Sequence, residues 1–180
     1  MSGKLQTIVL TGFMGAGKTT VAASLARQLN CRVFDLDALI SEREGRSVAE
    51  LIREEGEARF RELETATLRE LLESKEAGVI SLGGGAWALE RNRVLISGHE
   101  CITIWLDASF QLCWQRITRA LHHARPLAAN RTETRRLYDA RRPFYQLASL
   151  RVDVNADRSA ARVAAEIIEA LEKTQRSVKS

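Results

Sequence analysis

A segment near the start of the sequence, residues 12–19, fills every fixed position of the phosphate-binding pattern G-x-x-x-x-G-K-[ST]. The apolar run at 5–10 indicates a buried strand before it, and the one-sided apolar pattern at 18–29 predicts a helix after it. Glycines in such a turn let backbone N–H groups surround phosphates, and the helix N-terminus adds a positive dipole end. A glycine-rich turn with an incidental lysine is the alternative, which both flanking elements disfavour. The segment therefore predicts binding of a nucleoside triphosphate.

Short apolar segments alternate with helical patterns along the whole chain. This alternation predicts an α/β fold, a three-layer sandwich in which a five-stranded parallel sheet is covered by helices on both faces. The 180 residues suit a single domain, residues 1–180. Strands are predicted at residues 5–10, 32–35, 78–82, 101–106 and 150–154. Helices are predicted at 18–29, from 37 onward, at 47–55, 57–74, 87–97, 108–119, 132–148 with a break near Pro143, and 159–173, with a loop at 121–130.

Composition argues against a membrane protein and against a disulfide scaffold. No stretch approaches the roughly 20 apolar residues that cross a bilayer, and the N-terminus lacks the charged-then-apolar pattern of a signal peptide. The three cysteines, Cys31, Cys101 and Cys113, show no metal-ligand spacing and are interpreted as reduced thiols. We therefore expect a cytoplasmic protein without membrane contact.

The net charge of +4 is concentrated in one arginine-rich segment, residues 116–142. It holds eight arginines against Glu133 and Asp139, a local balance of +6, so the remainder of the chain carries −2. Arginine without lysine favours two-point recognition of phosphate or carboxylate over loose contact with a nucleic acid, and no stacking motif accompanies it. We therefore predict no nucleic-acid partner. Solvated helix positions are the interpretation for Arg131, Arg135 and Arg136.

Candidate ligand-binding groups follow three of the predicted strands. The phosphate-binding segment follows the first strand, Asp35 and Asp37 follow the second, and the triplet Gly83 to Gly85 follows the third. Ligands bind at the carboxyl ends of parallel strands, so we expect the carboxylates and glycines to share the nucleotide's edge of the sheet. Three glycines directly after a buried strand indicate close backbone approach to a ligand. The chain lacks the Asn-Lys-x-Asp motif of GTP switches and the strand-end acid pair of motor ATPases.

With these features in place, the sequence resembles the shikimate kinases, members of the nucleoside monophosphate kinase structural group of P-loop proteins. Six motifs occur in the family's order between about residue 5 and about residue 170. Each motif is weak alone, but their ordered combination is specific. The matching segments are residues 12–19, 35–37, 60–61, 79–86, 125–127 and 141–145.

The resemblance implies ATP-dependent phosphorylation of the 3-hydroxyl of shikimate, a small ring with one carboxylate. Arg61 and Arg141 match the family positions that bind the carboxylate, which a planar guanidinium can hold with two parallel hydrogen bonds. Asp37 matches the residue that holds the ring hydroxyls and orients the attacking oxygen. The implied helical substrate-binding region spans about residues 35–64. The implied backbone contacts to the ring come from Gly83, Gly84 and Gly85.

For the nucleotide, the resemblance implies ATP as co-substrate with one Mg²⁺ ion. Thr19 matches the hydroxyl ligand of the ion, and Asp35 matches the acidic group beside it. Arg125 matches an arginine that closes over the phosphates from a lid at about residues 117–131. Arg116 matches the residue packed against adenine, and we expect the loop at residues 155–158 to border the base on its other side. The implied ATP-binding residues are Gly12, Gly15, Ala16, Gly17, Lys18, Thr19, Thr20, Arg116, Arg125 and Arg158.

Two other functions remain open at this point. A kinase for another small polyol acid, such as gluconate, would share the phosphate loop without needing two arginines on a ring carboxylate. A non-catalytic nucleotide-dependent regulator or nucleic-acid-binding protein would use the arginine-rich segment, and its binding would depend on salt. The expected partners are shikimate and ATP, and the expected oligomeric state is a monomer.

Several positions depart from the family pattern. Ala128 stands where a leucine is common, Phe144 replaces a frequent leucine, and Trp87 is bulky beyond the glycine triplet. These departures bear on lid packing and substrate preference rather than on the reaction. Arg59 and Arg142, the neighbours of the two matching arginines, are assigned to solvent.

Overall fold

The sheet at the centre of the fold has five parallel strands. The computed structural model describes residues 6–74, 76, 78–124 and 130–178. The strands are β1 (Ile8–Thr11), β2 (Val33–Asp35), β3 (Val79–Ser81), β4 (Ile102–Ala108) and β5 (Leu150–Val154). They are ordered β2-β3-β1-β4-β5, so β1 lies in the middle between β3 and β4 and is fully buried. The phosphate-binding segment therefore emerges from the centre of the sheet.

Helices cover both sides of the sheet, which confirms the predicted α/β sandwich. Helix α1 packs against α7, and α2 packs against α3. Across the described ranges, every helix is too short or too polar to span a lipid bilayer. The helices are α1 (Lys18–Leu29), α2 (Leu36–Glu44), α3 (Val48–Glu73), α4 (Glu90–Gly98), α5 (Phe110–Ala124), α6 (Arg131–Tyr145) and α7 (Ala160–Val178), with one 3-10 turn at Ala86–Ala88.

Helix α3 has the cap and the interruption that its sequence predicts. The Ser47 hydroxyl accepts from the Glu50 backbone N–H at 3.2 Å, and the Glu50 carboxylate accepts from the Ser47 N–H at 2.8 Å. Gly56 has φ 87° and ψ 160°, which is not helical and suits only glycine. The long second part of α3, which carries Arg61, is thereby set at its own angle.

Several helix ends differ from the sequence-based expectation. Residues 121–124, predicted as part of a loop, are the last turn of α5, and 125–129 lie outside the described residues. Helix α6 begins at Arg131, because the Asn130 side chain accepts from the backbone N–H groups of the first turn. It contains Pro143 without a break and ends at Tyr145. Helix α2 begins at Leu36, with Asp35 as its N-cap.

The expectation that Arg142 faces solvent is wrong. Its guanidinium binds the buried carboxylate of Asp107 through two hydrogen bonds, of 3.1 and 3.0 Å, and also donates to the Tyr138 hydroxyl at 3.0 Å. It lies over the Trp105 ring, 5.1 Å from the centroid. Arg142 thus fixes α6 to the end of β4. Arg59, in contrast, is half exposed and pairs with exposed glutamates of its own helix, as expected.

Candidate active site

The phosphate-binding loop between β1 and α1 depends on glycine at three positions. Gly12, Gly15 and Gly17 have φ values of 144°, 78° and 95°, all in the region that other residues rarely adopt. A Cβ at Gly12 would lie 2.7 Å from the Leu106 carbonyl oxygen, and one at Gly15 would lie 2.7 Å from that of Cys113. The loop is therefore pressed against β4 and α5 and has room only for backbone. Gly17 caps α1 without a side chain, so the helix N-terminus faces the ligand side directly.

Lys18 lies under this loop. Its ammonium group donates to the carbonyl oxygens of Gly12, at 2.9 Å, and Phe13, at 3.1 Å. Burial lowers the pKa of Lys18 to about 8, and the charges of Asp37 and Asp35 oppose the shift. A positive charge in such a water-poor place acts strongly on a phosphate brought near it.

Thr19 and Asp35 form an oxygen pair beside the loop. The Thr19 hydroxyl donates to Asp35 Oδ2 at 2.6 Å, and Asp35 Oδ1 accepts from the Ala38 backbone N–H at 3.2 Å. Hydroxyl and carboxylate oxygens are the ligands that Mg²⁺ prefers, usually with phosphate and water completing the shell. The part of the chain that the structure describes has no cluster of three or more His, Cys, Asp or Glu suited to a metal. The pair therefore fits an ion that arrives with a phosphate ligand.

A half-open cavity of about 270 Å³ lies beside the loop. Arg116 borders it and donates to the carbonyl oxygens of Gly15, at 3.1 Å, and Ala16, at 3.2 Å. Arg158 also borders it, and its guanidinium donates to the Glu166 carboxylate at 2.6 Å and to the Asp153 carbonyl oxygen at 3.2 Å. Small and mostly apolar residues complete the walls, which suits a flat base in contact with a guanidinium group. The remaining lining residues are Ala16, Gly17, Thr20, Val21, Val154, Ala160 and Val163.

The glycine triplet after β3 brings together the side chains predicted for the second substrate. A Cβ at Gly83 would lie 2.5 Å from Asp37 Oδ1, and one at Gly85 would collide with the Arg61 guanidinium. A Cβ at Gly84 would lie 3.6 Å from Arg141 Nη1. Asp37, Arg61 and Arg141 therefore surround one stretch of bare backbone. Arg125 lies outside the described residues.

Asp37 has a buried acceptor that nothing in the described residues satisfies. Its Oδ1 atom has no hydrogen-bond partner there, which is uncommon for a buried carboxylate. Burial, followed by the neighbouring Asp35 charge, raises the pKa of Asp37, while Lys18 and Arg61 oppose the shift. An oxygen in this state suits a hydroxyl donor from a ligand.

Glu64 belongs to this cluster and was missed by sequence reasoning. Its carboxylate is fully buried and accepts from Arg61 Nη1 at 2.9 and 3.1 Å, while Glu57 binds the outer edge of the same guanidinium at 2.9 Å. Burial raises the pKa of Glu64, and Arg61 opposes the shift. The available signal was its spacing, because Glu64 lies four residues after Phe60 and four before Leu68, in a stripe of buried residues. Two acids thus fix the Arg61 guanidinium.

Tyr145 is a second residue that sequence reasoning quoted without giving it a role. Its hydroxyl donates to the Gly84 carbonyl oxygen at 2.6 Å, and its ring stacks on Trp105. Burial raises the pKa of the Tyr145 phenol, so the group stays protonated and keeps its donor. The end of α6, which carries Arg141, is thereby attached to the glycine triplet.

Comparison with known proteins agrees with this geometry. The sequence profile of the shikimate kinase family matches residues 14–172. A shikimate kinase of Synechococcus sp. (strain JA-3-3Ab) is 38% identical over 168 residues, which cover 92% of this chain and 87% of the relative.

Solved structures give the same result. A shikimate kinase from Acinetobacter baumannii, determined in complex with shikimate, has a TM-score of 0.84 and 33% identity, and the match covers 94% of each chain. A gluconokinase from Sinorhizobium meliloti 1021 has a TM-score of 0.62 at 17% identity, over 97% of this chain and 96% of its own. That second likeness shows the shared fold alone and does not favour gluconate as the substrate.

Proposed function

This chain belongs to the shikimate kinase family, and from that premise we propose which residues carry its reaction, the transfer of the γ-phosphoryl group of ATP to the 3-hydroxyl of shikimate. The observation that carries the proposal is the convergence of Asp37, Arg61 and Arg141 on the glycine triplet, at the same sheet edge as the phosphate loop. The bound shikimate of the Acinetobacter baumannii relative supports the choice of ligand.

In this proposal the two arginines bind and orient the ring acid. Arg61 and Arg141 hold the carboxylate of shikimate, and the bare backbone of the triplet lets the ring lie against the sheet edge. Asp37 Oδ1 accepts a hydrogen bond from the 3-hydroxyl. The 3-hydroxyl oxygen of shikimate forms a bond to the γ-phosphorus while the bond between that phosphorus and the ADP oxygen breaks. Asp37 takes the proton of the hydroxyl group. Its raised pKa brings it nearer to that of a working base.

The nucleotide lies on the loop, with its base between Arg116 and Arg158. Lys18 and the N-terminus of α1 neutralise phosphate charge, and Arg125 closes over the phosphates. We further propose that one Mg²⁺ is held by Thr19, with Asp35 beside it, and that the ion neutralises phosphate charge when bound. A monomer in the cytoplasm is the proposed working form.

The pH dependence of ATP use tests the role of Lys18. Burial lowers its pKa to about 8 in the free enzyme, so the positive form is lost as the pH rises through that value. We expect kcat/KM for ATP, which reports the free enzyme, to fall above about pH 8. The value of kcat should hold to higher pH, because bound phosphate favours the ammonium form. Initial rates from about pH 6 to about pH 10 measure both, and a flat kcat/KM profile for ATP would contradict the role.

Acceptor dependence tests the reaction itself. ADP formation by the purified chain should be low with Mg²⁺ and ATP alone, rise strongly with shikimate, and stay near the background with gluconate. Phosphorylation of gluconate at a comparable rate would overturn the substrate assignment. Salt-sensitive RNA or DNA binding without acceptor-dependent ADP release would instead support the non-catalytic alternative.

A further inference from the structure

Helix α4 lies outside the six motifs, yet three of its consecutive residues contact α3, the turn after the glycine triplet and α6. We propose that Arg91, Asn92 and Arg93, here named the α4 bracket, are positioning residues that set the two carboxylate-binding arginines relative to the glycine triplet. The inference rests on the proposed function, because the bracket residues act only through Arg61 and Arg141, the two arginines proposed to bind the carboxylate of shikimate. Its evidence lies in two sets of contacts, one toward α3 and one toward α6.

The first set joins α3 to the turn after the triplet. The fully buried Asn92 donates from its amide nitrogen to the Ala86 carbonyl oxygen at 3.0 Å, and its amide oxygen lies 2.8 Å from the Thr65 hydroxyl. Arg91 donates from Nε to the Thr65 hydroxyl oxygen and from Nη2 to the Arg61 carbonyl oxygen, both at 2.9 Å. The turn of α3 that bears Arg61 is therefore bonded at its backbone through α4 to the residue after Gly85.

The second set joins the turn after the glycine triplet, residues 86–88, to α6. Arg93 Nη1 donates to the carbonyl oxygens of Trp87, at 2.7 Å, and Ala88, at 2.8 Å, and its guanidinium lies over the Phe144 ring at 5.4 Å. The Trp87 indole N–H donates to the Phe144 carbonyl oxygen at 2.8 Å. Phe144 comes three residues after Arg141, so these contacts fix the helix end that carries the second guanidinium. Trp87 and Phe144, the two described departures from the family pattern, thus contact each other.

Fixing two guanidinium groups on one small carboxylate needs accuracy in both. The buried contacts of Asn92 use its donor and its acceptor at once, which a side chain serving only as packing would not require. A shift of about 1 Å in a positioning group can cost about 100-fold in rate. Since the arginines bind the acceptor in the ground state as well, the loss should fall mainly on KM for shikimate.

Asn92→Leu tests the bracket because it keeps the branched shape and the number of heavy atoms and removes both hydrogen bonds. We expect KM for shikimate to rise about 10-fold to about 100-fold, with KM for ATP within about twofold of the wild-type value. Ser24→Ala is the matched control. It removes a buried hydroxyl of α1 that accepts from Gln28 and contacts no residue of the bracket, so it should lower the melting temperature and leave both KM values unchanged.

Arg91→Gln provides a second route if Asn92→Leu fails to fold. Arg91 is exposed, so this variant should fold, and it loses the bonds to Thr65 and to the Arg61 backbone. A selective rise in KM for shikimate in either variant supports the bracket. Equal rises in both KM values, or unchanged KM values in a folded variant, overturn it. The acceptor test on the wild-type chain is a separate experiment. If shikimate does not raise ADP formation, the proposed function fails. The bracket can then still be tested by comparing KM for ATP with KM for the acceptor that does raise it.

Discussion

Replacing Asp37 with asparagine is expected to lower kcat by about 10²-fold to about 10⁴-fold while the protein remains folded. The asparagine amide matches the carboxylate in shape and still offers an oxygen to the 3-hydroxyl, but it cannot take the proton. The buried, unpartnered Oδ1 atom is the feature that singles this residue out. Steady-state kinetics with shikimate as the varied substrate measures the effect. A kcat within a few fold of wild type would remove Asp37 from the proton-transfer role.

The same variant has an expected effect on stability in the opposite direction. The folded chain raises the pKa of Asp37 above its unfolded value, so folding favours the protonated form. The stability associated with this group is present below the unfolded pKa and is lost as the pH rises through the folded one. At neutral pH the wild-type chain must bury a charged carboxylate, which lowers its stability. Asp37→Asn removes this charge, so its melting temperature should equal or exceed that of wild type. Asp139→Asn, at an exposed ion pair of α6, is the control and should leave kcat unchanged.

Arg125→Ala is expected to lower kcat by about 10³-fold to about 10⁵-fold. Arg125 matches the family's lid arginine, and a guanidinium brought to the transferring phosphoryl group stabilises charge that develops only in the transition state. The melting temperature should stay within about a degree of wild type if Arg125 serves the reaction and not the fold. Kinetics at saturating ATP and shikimate separate this loss from weaker binding.

Arg119→Ala is the control for the lid arginine. Arg119 is exposed on α5 in the same arginine-rich segment, so the variant removes the same charge from the same region. It should keep kcat within about twofold of wild type. Near-normal turnover of Arg125→Ala would show that Arg125 has no specific role. An equal loss in both variants would show that the segment contributes only a general positive charge.

Local patterns predicted most of the fold, and the errors lie where two signals competed. The apolar runs located all five strands, and Ser47 and Gly56 marked the start and the interruption of α3. The loop predicted at 121–130 is wrong at residues 121–124, which are the last turn of α5 and lie just before Pro126. A proline disfavours helix mainly at the residue before it, so α5 was free to continue through Ala124.

The site was predicted in part, through residues that recur in motifs. The structure brings Asp37, Arg61 and Arg141 to one place, as their motif positions implied. Partners fixed by tertiary contact were missed, because nothing local distinguishes them. Arg142 reaches Asp107 at a separation of 35 residues, and a sequence pattern has no means of pairing them. The spacing of Glu64 does match that of buried residues on its helix, which favours burial. Spacing alone does not establish it, because an acid at such a position can equally face solvent.

Helix α5 has a mechanical consequence for the way this enzyme handles its nucleotide. The backbone of Cys113 packs against Gly15, and the Arg116 side chain donates hydrogen bonds to the carbonyl oxygens of Gly15 and Ala16. From Cys113 the helix runs about 16 Å, at 1.5 Å per residue, to Ala124, which precedes Arg125. A single helix therefore carries residues that contact the phosphate loop and border the cavity beside it, and it ends directly before Arg125 in the sequence. We therefore expect a change in the packing of α5 to alter the proposed nucleotide contacts of Arg116 and the proposed role of Arg125 together.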